Sequence, residues 1–490
     1  MRAPFGILIF LVVVVVAVAL AGCRSPSAAE RVSGANGANG GNGASVARDA
    51  PDTWTYDVEV TPDGPGGPEL RVNAELSTAE RAELHVDSSA ESFIANAAMQ
   101  GRDGGWRSVA SDRLVCEPPR CRVRYQFRLD AAARALRDHD TVTEFGGAYA
   151  TSASAWLAHP PRVKPRAYRV HVIPAGRAVL SGMAPAHDGA ADTYEARGVG
   201  LDDAPYFAFG AWRAHSTTIE SAKVTVAIAP GTLKAMRDEE MVARVHTAGS
   251  ALATYLQSFP TPHPLLLIVP GNGDQISGMT LGGGGGAILL SVGPNVSPAI
   301  ARENWVLTHE MVHLEMPMLG YMHAWLAEGL ATYLEPIVRV RAGEISAERM
   351  WGDVLQDAAQ GLPEPGDEGL ERTHTWGRTY WGGAIFYLLA DVTIRERTKN
   401  AHSLDDALRA VARASAGVAD SWSVERFLDT ADKATTVTVF RELYDRLGFA
   451  PGKIDLPALW ARLGLSLRNG QVVFDDKAPL ASVRRGIAGR

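Results

Sequence analysis

The chain has 490 residues, too many for one ordinary domain, and two or three are expected. Hydrophobic residues make up 46% and the formal charge is −7, the balance of a soluble globular body. No basic cluster is dense enough to suggest nucleic acid as a partner.

Arg2 is followed by an apolar run over residues 5–21 that closes on Leu20-Ala21-Gly22-Cys23. A basic start, an apolar core and a small-residue cleavage site predict a secretory signal over residues 1–22. L-A-G-C resembles the bacterial lipobox, where cleavage leaves an N-terminal cysteine that carries lipid, so Cys23 is the expected membrane anchor. An uncleaved membrane anchor is the competing reading, on a run near the short limit for spanning. Arg24 follows the cysteine, and the absence of Asp there favours the outer over the inner membrane of a bacterial envelope. Residues 23–50, rich in Ser, Ala, Gly and Asn, cannot bury a core and read as a flexible tether.

Residues 51–230 predict a β-rich N-terminal domain. Segments 53–60, 122–129, 168–173 and 223–228 alternate apolar and polar residues between Gly/Pro/Asp turns, as in an antiparallel sandwich or saddle. Cys116 and Cys121 enclose Glu-Pro-Pro-Arg. With Cys23 lipidated they are the remaining pair in an oxidising envelope, and a disulfide is the simplest reading.

Residues 231–340 carry the chemistry. A helix is expected over 239–256, then buried strands over 264–269 and 287–292. Five glycines, 282–286, precede the second strand and permit close approach by another backbone. A helix over 299–315 follows, holding His309-Glu310-Met311-Val312-His313. Residues four apart share a helix face, so His309 and His313 can present two imidazoles to one metal ion. Glu310 then stands beside the metal, within reach of its water. Two histidines and a carboxylate base in this spacing describe a zinc hydrolase.

Fifteen residues past His313 lies Glu328, in a second helix expected over 325–335 and ended by Pro336. A catalytic zinc keeps three protein ligands and one open position, and His309, His313 and Glu328 form such a set for one zinc ion. His323 is a rival third ligand. Glu335, two turns past Glu328, shares its face and is a candidate acceptor for a ligand imidazole. Residues 341–450 read as a helical lobe, with helices over 347–360, 378–397, 404–416, 424–430 and 436–447. Residues 451–490 hold one expected strand, 471–474, and a short helix over 479–485, without a functional reading.

H-E-x-x-H followed by W-x-x-E-G-x-A-x-Y-x-E resembles the gluzincin metallopeptidases, in particular the aminopeptidase N and glycyl aminopeptidase families, over roughly residues 260–395. The resemblance implies a multidomain α+β fold: an antiparallel N-terminal β-domain, a thermolysin-like zinc peptidase domain and a mostly helical C-terminal lobe. It implies zinc on His309, His313 and Glu328, Glu310 as general base, and a peptide or protein substrate. Tyr380, in Y-x-x-G-A, would stabilise the tetrahedral intermediate. Gly284, Gly285, Gly286 and Ala287 would lie along the extended substrate, as an edge strand does in that group. One departure stands out. The aminopeptidase N family grips the substrate's amine with a glutamate in G-x-M-E-N, and no acidic residue occurs over 278–302. The alternative function is a catalytically inactive envelope lipoprotein that uses the fold for binding.

Overall fold

The computed structural model describes residues 53–489, apart from 62–66, 140, 175 and 177. The expected signal, Cys23 and the tether lie outside the described residues. The N-terminal half is built on a seven-stranded sheet in the order Thr193–Ala196, Ala167–Ile173, Thr53–Val60, Leu70–Ser77, Arg120–Phe127, Ile94–Gln100, Trp106–Ser108. Alternation drives it: Trp54, Tyr56, Val58 and Val60 are all at most 1% exposed, whereas Thr55 and Asp57 between them face solvent. All its pairings are antiparallel except one, Thr53–Val60 with Ala167–Ile173, which run parallel. Cys116 and Cys121 are joined by a disulfide at the start of Arg120–Phe127.

A second, four-stranded sheet (Ala178–Ser181, Tyr206–Gly210, Ala148–Ser152, Val142–Phe145) bridges to the C-terminal half. That half holds a five-stranded sheet ordered Arg213–Ile219, Ala222–Ile228, Leu265–Pro270, Ala287–Val292, Ile276–Leu281. The hairpin Arg213–Ile228 thus pairs within this five-stranded sheet and not with the strands that precede it in sequence. Leu265, Leu267 and Val269 pack on Ala148, Ala150 and Ala208 of the four-stranded sheet. Leu266 and Ile268, on the other face, pack on the helix Asp238–Leu256 and on the helices beyond. Both faces are covered, which is why these strands read as unbroken apolar runs. Ile276–Leu281 is the outermost strand, paired on one side only.

The helix expected over 299–315 is two helices, Pro298–Glu303 and Val306–Leu314. Asn304 breaks it: its side-chain oxygen accepts from the Val306 N–H at 2.9 Å, an alternative to the helical bond. The second helix was expected to stop at Pro336, but it runs from Ala324 to Arg341 with the proline inside. An interior proline costs about 3 kcal/mol. Ile337 and Val338 beyond it are at most 2% exposed, and burying two such side chains contributes roughly 1.5–3 kcal/mol each, so continuation wins. The rest is helical apart from one hairpin, Leu465–Arg468 with Gln471–Phe474, whose second strand is the one expected over 471–474. The C-terminal segment sits in the same core through Leu459, Leu463, Leu480, Val483 and Ile487. Arg341 donates to the carbonyls of Gly486 and Ile487, fastening that segment to the end of the Glu328 helix. Among the described residues no helix is long and apolar enough to cross a membrane.

Candidate metal centre

His309 and His313 project from one face of Val306–Leu314, as their spacing requires. The facing helix Ala324–Arg341 brings Glu328 to them. His309 Nε2 lies 3.2 Å from Glu328 Oε2. His313 Nε2 lies 3.3 Å from the same oxygen and 3.2 Å from His309 Nε2. Three donors about 2.0–2.1 Å from a tetrahedral zinc must stand roughly 3.3 Å apart. The three observed separations match that edge, so the residues present fit a zinc ion. No other His/Cys/Asp/Glu cluster with this convergence occurs among the described residues. His323, the rival ligand, is held elsewhere: its Nδ1 lies 2.8 and 3.0 Å from the two oxygens of Glu371.

Charge supports the grouping. Burial would raise the Glu328 carboxyl, but His313 and His309 outweigh it and hold it well below the usual carboxylate range. Burial would lower His313, but Glu328, with Glu310 behind it, pushes it up to about 9.

Glu310 is buried, at 7% exposure, and lies against the edge strand. Thr280 Oγ1 is 2.8 Å from Glu310 Oε2. Tyr380 stands on the other side, its ring centroid 6.3 Å from that of His309 at an interplanar angle of 21°. Burial, then the charges of Glu328 and Glu310, raises its hydroxyl above the ordinary tyrosine value, so it stays a donor. The turn that carries it, Arg378–Gly382, winds as a π-helix, a local form that recurs at functional sites. Arg378 anchors that turn through the Gly361 carbonyl and Asp367. Trp305 packs edge-on against His309, and Trp376 stacks on Tyr380 at 5.5 Å. Both tryptophans are about half exposed, at 47% and 49%, on the open side of the centre.

Two expectations need correction. Glu335 makes no hydrogen bond to a ligand imidazole. Its Oε1 accepts from Arg339 at 2.7 Å, and His309 Nδ1 is buried without a partner. A nearby guanidinium on the same helix, four residues on, takes the carboxylate first. The glycine run is also occupied by the chain itself. Gly283 and Gly284 donate to the carbonyls of Val418 and Ala419, Gly286 donates to Gly182, and Gly285 bridges Met183. Ala287 pairs on both sides, with Leu265 and Leu281. The glycines do permit close backbone approach, but by this chain, and the free edge near Glu310 belongs to Ile276–Leu281. A cavity of ≈ 500 Å³ lined by Gly284, Gly285, Gly286, His187, Glu195 and His263 touches none of the metal-site residues. Sequence reading missed Gly278, Thr280, Trp305 and Trp376; period-two spacing ahead of the glycines was the one signal for the first pair.

The same combination of lobes is found among solved structures. The fold is that of the M1 zinc metallopeptidases. An aminopeptidase N family protein from Idiomarina loihiensis superposes with a TM-score of 0.57 at 13% identity, over 85% of this chain and 79% of that one. An M1 zinc metallopeptidase from Deinococcus radiodurans gives a TM-score of 0.51 at 12% identity, over 83% and 96%. A two-domain M1 zinc metallopeptidase variant bound to L-arginine gives 0.50 at 12%, over 82% and 95%. No family model matches the chain, and no curated protein does. The M1-type fold is thus shared at an identity where only the architecture carries over.

Proposed function

We propose that this chain is a zinc-dependent metallopeptidase acting on peptides or proteins. The observation that carries this reading is the set of three near-equal separations among His309, His313 and Glu328, with a buried Glu310 alongside. A bound zinc supplies Lewis acidity, polarising a scissile carbonyl and making a water in its open position more acidic. His309, His313 and Glu328 would hold it. Glu310 accepts the proton of the attacking water and delivers it to the leaving amine. The Tyr380 hydroxyl donates a hydrogen bond to the carbonyl oxygen as negative charge develops there. An extended substrate pairs with the free edge of Ile276–Leu281, adding a strand to the sheet. That strand offers no carboxylate for a substrate's free amine, so recognition of the aminopeptidase kind has no anchor on it. We also read the chain as a bacterial envelope protein held to the membrane by lipid on Cys23, with the outer membrane favoured; the support is L-A-G-C after an apolar run. No observation favours the non-catalytic alternative, since base, metal ligands and Tyr380 converge. Digestion of a mixed peptide library, followed by mass spectrometry, tests the reading. Zinc-loaded protein should cleave, and Glu310→Gln with the same zinc content should not. Equal product patterns from the two would refute it.

A further inference from the structure

The general base is held by a device on the edge strand. Residues 278 and 280, two apart, share one face of Ile276–Leu281, and that face meets Glu310. Position 278 has no side chain, and a Cβ built there would lie 2.5 Å from Glu310 Cγ. The Glu310 side chain therefore occupies the space a residue other than glycine would fill. Thr280 Oγ1 lies 2.8 Å from Glu310 Oε2 and 3.1 Å from the Glu310 backbone carbonyl. A hydroxyl has one proton to give, and both acceptors belong to the same residue, so either bond ties Glu310 to the strand. Threonine is β-branched and stiff at χ1, which fixes where that hydroxyl points.

A glutamate has three side-chain torsions and several staggered forms. Only those that aim one oxygen at the open side of the metal centre serve proton transfer, and orientation of this kind is worth a large part of a barrier. We propose that Thr280 is a positioning residue for the general base. By holding Oε2 at Thr280, with Gly278 leaving room for Oε1 3.0 Å from where a Cβ would stand, it fixes the plane of the carboxylate and so where Oε1 meets the attacking water. The proposal rests on the reading of Glu310 as base. The strand that holds the base is also a free edge of the sheet, so one rigid element would set both the base and a substrate paired with it.

The test compares zinc-loaded wild type, Thr280→Val and Thr280→Ser on a peptide that wild type cleaves and Glu310→Gln does not. Thr280→Val should lower kcat about 10- to 100-fold, with KM and zinc content unchanged. Thr280→Ser, which keeps the hydroxyl, should restore most of the rate. A kcat for Thr280→Val at or above wild type overturns the proposal, as does equal impairment of the serine variant. The contact is checked without turnover by thermal unfolding of Thr280→Val, Glu310→Ala and the double variant. The melting shifts should be non-additive; additive shifts would show that the two side chains are uncoupled and would overturn the proposal. If wild type cleaves no peptide in the library, the reading of Glu310 as base fails, and positioning of a base falls with it.

Discussion

His313 and Glu328 hold each other in opposite charge states, and this fixes how the site responds to pH. The ordinary histidine value is 6.5 and the folded one is about 9. A raised value means stabilisation of the metal-free fold that is complete below pH 6.5 and is lost as pH rises through about 9. Zinc takes a neutral imidazole, so at neutral pH its binding must expel the proton from His313, and affinity should climb with pH up to about 9. Tyr380 makes a separate prediction. If its hydroxyl serves the developing oxyanion, Tyr380→Phe should lower kcat about 10²- to 10³-fold with little change in melting temperature. A tyrosine that only packs would lose roughly 1 kcal/mol of stability and turn over normally. Measuring kcat and melting temperature on the same preparation separates the two.

The helices that carry Glu328 and Tyr380 meet at two glycines. A Cβ on Gly329 would lie 2.3 Å from the Gly383 backbone, so the absence of both side chains brings the π-turn of Tyr380 against Glu328. Alanine at an interior helix position normally gains about 1 kcal/mol over glycine. Here the clash is with backbone, and overpacking of that kind costs typically 1–3 kcal/mol, so Gly329→Ala should be net destabilising. It should also lower kcat, because the turn must move. A raised melting temperature with full activity would show that the contact is slack. Which parts of this arrangement are visible in sequence follows from how local each signal is. His309 and His313 are legible because helical spacing alone puts them on one face. Glu328 is legible from the pattern around it, although its approach to the histidines depends on the turn at residues 315–323. The edge strand that meets Glu310 was not legible, because its pairing partner comes later in the chain and the glycines drew attention to the wrong backbone. Pro336 misled for the opposite reason: a local rule was overridden by tertiary burial of Ile337 and Val338.

The whole molecule places the candidate metal centre between a five-stranded sheet and a helical lobe, with the four-stranded sheet packed on the far face of that five-stranded sheet. The division into a β-rich start and a helical end was legible from period-two and period-3.6 patterning. The membership of Arg213–Ile228 was not, since sheet assignment depends on partners such as Leu265–Pro270 beyond the next helix. The 451–490 segment, legible as a strand and a short helix that the structure has at Gln471–Phe474 and Ala481–Ile487, is fastened by Arg341 and its own buried leucines. At the other end, lipid on Cys23 is tested by metabolic labelling. Wild type should incorporate fatty acid and Cys23→Ala should not, and persistent labelling of the variant would remove the anchor. Every role proposed for these residues depends on the three-ligand centre. Its most direct measurement is calorimetric zinc titration of the metal-free chain, run near pH 7 in buffers of different ionisation enthalpy. The predicted result is about one zinc per chain with release of about one proton, and loss of that binding in each of His309→Ala, His313→Ala and Glu328→Ala. Full binding retained by Glu328→Ala, with loss in His323→Ala, would contradict it.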